Sequence, residues 1–189
     1  MAERIARVLL GALLFAVLPA RALQTGEPLP TLSVAKLGEV VVEGEETRYQ
    51  PWQSAALPDR IHIVQYLAAR MSARKMSKPF TDRLEKSGIP LARYHISTVV
   101  NLDDALFGTR GMVMSELAKN KRKYALSTIV ADESGRGREL WGLDESSSAV
   151  IILDTAGRVL YFHQGEMLED DIQRAIEVVR GDGAVAATR

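Results

Sequence analysis

The sequence predicts an α/β domain, a three-layer sandwich in which a mixed sheet carries helices on both faces and an N-terminal β-hairpin extends it. Three observations predict this. Between residues 60 and 153, β-branched strand runs alternate with helix-period stripes, the pattern of parallel strands joined by crossover helices. The runs 149–153 and 159–163 flank Asp154-Thr155-Ala156-Gly157, a turn with Gly available for positive φ, so the alternation closes in an antiparallel hairpin. A last stripe of Leu168, Ile172, Ala175, Ile176 and Val179 ends at Gly181 and predicts a closing helix.

Residues 1–22 read as a signal peptide. Arg4 and Arg7 precede the apolar run Val8 to Leu18, and Ala20-Arg21-Ala22 supplies a small-residue cleavage pattern. A bilayer-spanning helix needs about 20 apolar residues, so this run is too short to stay as an anchor. The expected result is a soluble periplasmic protein without a membrane span, and loss of the leader takes the net charge from 0 to −2. The domain is expected over 23–183, with 184–189 a disordered tail.

Gln24 to Pro30 is an extended segment, because each Pro pushes the residue before it away from helical geometry. Gly38 to Val42 and Thr47 to Trp52 form the N-terminal hairpin around Gly44. Arg60 to Ala68 is a central strand. Met76, Phe80 and Leu84 recur every four residues and stripe the first helix, which Gly88 and Pro90 terminate. Tyr94 to Asn101 is the second core strand, closed by the polar turn Asp103-Asp104. Met112 to Lys123 has helix-forming composition, Thr128 to Ala131 is a short strand, and Arg138 to Leu143 makes one or two helical turns. The basic residues Lys119, Lys121, Arg122 and Lys123 read as a solvated helix face.

Composition excludes several classes of function. The chain has no Cys, which removes disulfide exchange, thiol nucleophiles and thiolate metal sites. Twenty-four basic residues balance twenty-four acidic ones, so overall charge offers no attraction for nucleic acid. His62, His95 and His163 sit in separate predicted strands without a ligand-pair spacing, and Ser146 to Ser148 lacks a nucleophile elbow. No metal and no cofactor is expected. Asp144-Glu145 and Asp103-Asp104 read as turn and cap residues.

Around the first helix the chain resembles thioredoxins. There Cys-x-x-Cys is followed by Lys-Met and a Pro five residues after the second Cys; here Met71-Ser72-Ala73-Arg74 is followed by Lys75-Met76 and by Pro79. Tyr66-Leu67-Ala68 resembles the aromatic-x-Ala before the motif. The likeness implies that Met71 and Arg74 stand where the two cysteines would be, and that Ser148 stands where that fold keeps a cis-proline. A cis bond before a non-proline residue costs about 2.5 to 4 kcal/mol, so a trans peptide is expected.

Five further segments resemble the YtfJ-type family of exported bacterial proteins. They are Thr25-Gly26, Trp52-x-Ser54-Ala55-x-Leu57, Ala69-Arg70-x-Ser72-Ala73, Val100-Asn101-x-Asp103-Asp104-Ala105 and Leu143-Asp144-Glu145-x-Ser147-x-Ala149-Val150. The resemblance implies export, a thioredoxin-like fold and absence of redox cysteines; it supplies no reaction. That family's final helix usually begins with a capping hydroxyl or a Pro, and Glu166-Met167-Leu168-Glu169 offers neither.

The candidate site follows from the end of the sheet. Ligands collect at the C-terminal ends of strands in open α/β sheets, where Arg70, Asp103, Asp104 and Ser147 are expected to converge. With Met71, Ser72, Arg74 and Ser148 they make up the candidate binding residues. The expected function is non-catalytic binding of an extended peptide or protein partner by strand pairing. The alternative is a cysteine-independent enzyme or small-anion binder using Arg70 and the Asp103/Asp104 rim, in which backbone N–H groups of the helix N-terminus help hold the anion.

Overall fold

A computed structural model describes residues 23–55, 57 and 59–181. The segments predicted as a signal peptide, 1–22, and as a tail, 184–189, lie outside them. The strands are β1 (Ser33–Glu43), β2 (Glu46–Gln53), β3 (Ile61–Ala68), β4 (Tyr94–Asn101), β5 (Thr128–Asp132), β6 (Ser148–Leu153) and β7 (Val159–Gln164). The helices are α1 (Met71–Glu85), α2 (Arg110–Lys123), α3 (Arg136–Trp141) and α4 (Glu169–Arg180), with one 3-10 turn at Leu91–Arg93.

All seven strands form one mixed sheet in the order β2-β1-β5-β4-β3-β6-β7. The steps β3 to β4 and β4 to β5 are parallel and run in the same direction, so right-handed crossovers put α1 and α2 on one face. The return from β5 to β6 passes back over β4 and β3, which puts α3 on the other face. On the first face Ile63, Phe80, Leu84, Val150, Ile152, Ile172 and Ile176 form one core. Val100, Leu117 and Ile129 continue it under α2. On the opposite face Leu29 and Leu32 of the extended N-terminal segment pack with Val64, Tyr66, Trp141 and Ile151. That segment substitutes for a long helix: Trp141 Nε1 donates to the Pro30 carbonyl at 2.9 Å.

The predicted N-terminal hairpin exists but starts earlier, at Ser33, and its register shifts between Val34 and Glu39. At that irregularity Leu37 and Gly38 have φ of +59° and +79°. A Cβ on Gly38 would lie 2.2 Å from the Gln50 carbonyl oxygen, so only glycine fits. In α1, Pro79 has no N–H to offer the Lys75 carbonyl. The neighbouring Met76 carbonyl accepts instead from Met167 N–H at 3.2 Å, tying the segment before α4 to the middle of α1.

Two expectations need correction. Leu168 does not belong to the buried stripe of α4; it is the N-cap, in extended geometry and 65% exposed. Met167 is buried in its place. The cap lacks a side-chain acceptor, and Leu168 N–H donates to Asp171 Oδ2 at 3.1 Å, which satisfies the boundary from the other side. The basic run at 119–123 is not simply a solvated face. Lys121 Nζ donates to the Ser127 carbonyl at 2.7 Å, and Arg122 reaches the Glu45 carbonyl at 2.9 Å, so both fasten α2 to its surroundings.

Candidate functional site

The C-terminal ends of β3, β4 and β5 and the start of β6 meet at one rim, and the local sequence explains how each is held. Ala69 N–H donates to the Asn101 carbonyl, which joins the end of β3 to the end of β4. Arg70 is the N-cap of α1 but places no side-chain oxygen there, since it has none. Its Nε instead donates to the Asp104 carbonyl at 2.8 Å, fixing the β4–α2 loop against the helix start.

Asn101 organises that loop. It is fully buried, its Oδ1 accepts from Asp103 N–H at 3.0 Å, and its Nδ2 donates to Asp104 Oδ2 at 2.8 Å. An Asn or Asp side chain that bonds its own backbone two residues on is a turn-former. The Asp103-Asp104 turn predicted from sequence is therefore held by Asn101, two residues before it. Gly135, with φ of +68°, allows the β5–α3 turn to approach, since a Cβ there would lie 3.0 Å from Asn101 Oδ1.

Beneath the rim lies a polar group that sequence reasoning missed. Asp132 is buried at the end of β5, and its Oδ2 accepts from Tyr66 OH at 2.9 Å and Gly137 N–H at 2.8 Å. Its Oδ1 accepts from Arg136 N–H at 3.2 Å, so one carboxylate caps α3 and anchors the central strand together. Burial, reinforced by the Asp132 charge, pushes the Tyr66 phenol far above its ordinary range, so it acts as a donor and not as an acid. The signal that could have found it is Asp132 followed by Gly135 and Gly137, an Asx-type start to a short helix.

The remaining candidates divide by exposure. Met71 opens α1 in solvent, Ser72 follows it, and Arg74 makes a loose ion pair with Glu116 at 3.4 Å. Ser148 is buried, begins β6 opposite Leu67, and its Oγ donates to the Gly165 carbonyl at 3.3 Å. Among the described residues every peptide bond is trans, as expected for Ser148. Ser147 is half-buried and its carbonyl accepts from Ala68 N–H at 3.0 Å. Ser146 adopts φ of +56°, a left-handed conformation that a non-glycine residue holds at a cost of about 1 kcal/mol or more. Residues 145 and 146 form a hydrogen-bonded turn that brings the Ser147 N–H round to the Asp144 carbonyl, while the Ser146 N–H makes no close backbone hydrogen bond among the described residues. Arg138 projects toward the same rim and pairs with Glu145 at 2.6 Å.

Outside these polar groups the rim is apolar. Met71, Leu106, Phe107 and Met112 are exposed large side chains, and all four come from the start of α1, the β4–α2 loop or the first turn of α2. Leu106 and Phe107 follow Asp104, whose carbonyl Arg70 holds, so the patch sits beside the helix start. The expected rim contacts between Arg70 and the Asp103/Asp104 turn are present, although Arg70 bonds a main-chain carbonyl and not a carboxylate. Among the described residues no three His, Asp or Glu side chains gather as a metal site. None of the described helices is long and apolar enough to cross a membrane.

A mixed sheet of this order, with the opening turn of α1 facing the start of β6, defines a thioredoxin-like fold in which that opening turn contains no cysteine. The thioredoxin domain of a thiol-disulfide oxidoreductase from Bacteroides vulgatus superimposes with a TM-score of 0.56 at 14% identity, covering 83% of this chain and 98% of that one. Residues 23–182 match the family described as "Bacterial protein of unknown function (YtfJ_HI0045)", and the chain belongs to it. An uncharacterized protein of Haemophilus influenzae is 34% identical over 159 residues, 84% of this chain and 86% of that protein. The uncharacterized protein YtfJ of Escherichia coli is 32% identical over 157 residues, 83% and 85% of the two chains.

Proposed function

We propose that this protein is exported to the periplasm by cleavage of residues 1–22 and acts there as a non-redox docking module for an extended peptide or protein segment. One observation carries the reading: the Ser146 N–H, which makes no close backbone hydrogen bond among the described residues, and the entry to β6 at Ser147 adjoin a rim of exposed apolar side chains. Extended peptides bind by adding main-chain hydrogen bonds to such a segment while neighbouring apolar surface receives alternate side chains. Without Cys the encounter cannot pass through a mixed disulfide. The left-handed Ser146 at the entry to β6 supports the same reading, because strained backbone of this kind clusters at ligand clamps.

The anion-binding alternative has less support. Arg70 Nε already donates to the Asp104 carbonyl and Arg74 pairs loosely with Glu116, so an anion would compete with contacts both residues make. Thermal-shift screening of residues 23–189 against extended apolar peptides and small anions decides between them. Stabilisation by peptide that Ser147→Trp abolishes supports docking. Stabilisation by phosphate or a carboxylate that Arg70→Ala abolishes would replace it with the anion reading.

A further inference from the structure

The chain has no cysteine, so its methionines hold all of its sulfur. Those methionines are not evenly placed. Met167 is 3% exposed, Met76 is half-buried, and Met114 is partly covered by the core it packs against. Met71 and Met112 are 68% and 76% exposed. Both lie on the apolar rim, one opening α1 at the position where a thioredoxin keeps a reactive cysteine, the other in the first turn of α2 with Leu106 and Phe107 nearby in the chain.

We propose that Met71 and Met112 form an oxidant-responsive modification site that switches the character of this rim. The reactant is a peroxide-class oxidant. A lone pair of the thioether sulfur attacks one peroxide oxygen, the O–O bond breaks, and the departing hydroxide takes the proton of the transferred oxygen. Sulfur is oxidised by two electrons to the sulfoxide and the peroxide is reduced to water. The product replaces a flexible apolar side chain with a polar one, and exposure governs which sulfur reacts. A surface built from two thioethers, a leucine and a phenylalanine thereby loses half of its apolar members at once. A methionine sulfoxide reductase would restore it. The consequence for a bound peptide rests on the docking function proposed above; the selectivity and the change of surface do not.

The test treats residues 23–189 with hydrogen peroxide under native conditions and follows each methionine by peptide mapping and mass spectrometry. Met71 and Met112 are expected to form sulfoxide at least about tenfold faster than Met167, with Met76 and Met114 also lagging. The oxidised protein is expected to elute earlier from a phenyl hydrophobic-interaction matrix, and the Met71→Leu/Met112→Leu double variant to show no oxidant-dependent shift. Oxidation of Met167 as fast as Met71, or unchanged retention after both exposed sulfurs are oxidised, would overturn the proposal. Absence of any peptide-induced thermal shift in the reduced protein would sink the docking reading alone, because the mapping and retention results stand apart from it.

Discussion

At the floor of the rim, Asn101, Asp132 and Tyr66 are buried and each side chain meets a named partner, whereas at its crown Met71, Leu106, Phe107 and Met112 stand in solvent beside the turn at Ser146 and Ser147. The two layers belong to the same ends of the same strands. Their difference teaches where the fold keeps its shape and where it has surface left over. A buried polar group without its partner costs about 1 to 3 kcal/mol, so the floor tolerates little change. Exposed side chains away from such networks move stability by about 0.5 kcal/mol or less, so the crown can be altered for another purpose.

The sharpest way to break this contrast is Asp132→Ala. It strands the Tyr66 hydroxyl and the N–H groups of Arg136 and Gly137 together, and a loss of about 3 to 5 kcal/mol is expected in urea unfolding. A loss under about 1 kcal/mol would mean that the floor does not hold the strand ends.

The next effect is a pH dependence away from the rim. His62 is buried, its Nε2 lies 2.8 Å from Ser97 Oγ, and burial together with the charge of His95 lowers its pKa from 6.5 to about 4. The folded value lies below the unfolded one, so between them the unfolded chain binds a proton that the fold refuses. Stability contributed by neutral His62 is complete above about pH 6.5 and is lost as pH falls toward 4, by roughly 3 kcal/mol in all. His62→Gln is expected to flatten that part of the stability profile measured by chemical denaturation. An unchanged slope would contradict it.

Smaller again is Gly137→Ala. The added Cβ would meet Tyr66 Cε2 at 2.4 Å and Leu32 Cδ2 at 2.9 Å, and overpacking of this kind costs about 1 to 3 kcal/mol by equilibrium unfolding. The smallest effect is at the crown. Met71→Ser is expected to shift stability by no more than about 0.5 kcal/mol while reducing any peptide-induced thermal shift. A large destabilisation would place Met71 with the floor and dissolve the contrast.

Much of this fold is legible in the sequence, because period and punctuation are local. Tyr94 to Asn101 is observed as predicted, Gly157 and Gly181 both take the positive φ that their turns require, and the strand–helix alternation leads to the observed sheet. What is illegible depends on distant partners. Tyr66 and Asp132 are 66 residues apart, and an aspartate at the end of a strand reads as a solvent-facing turn residue unless its partner is known. The β1 irregularity at Leu37 is equally hidden, since leucine gives no sign that it will take a left-handed conformation. At the candidate site, Arg70 and the Asp103-Asp104 turn could be placed on one rim because both follow the C-terminal ends of predicted neighbouring strands. The exposure of Leu106 and Phe107 could not, because an apolar side chain is by default assigned to a core.

Chemical-shift mapping of 15N-labelled residues 23–189 titrated with an extended apolar peptide tests the central claim most directly. Perturbations clustered at Met71, Phe107, Met112, Ser146 and Ser147 are the predicted result, with none at the opposite end of the strands, where the exposed Leu91 and Leu126 line a pocket with Tyr94. Saturable binding whose perturbations centre on Leu91 and Leu126, or an unperturbed spectrum across a panel of such peptides, would contradict it.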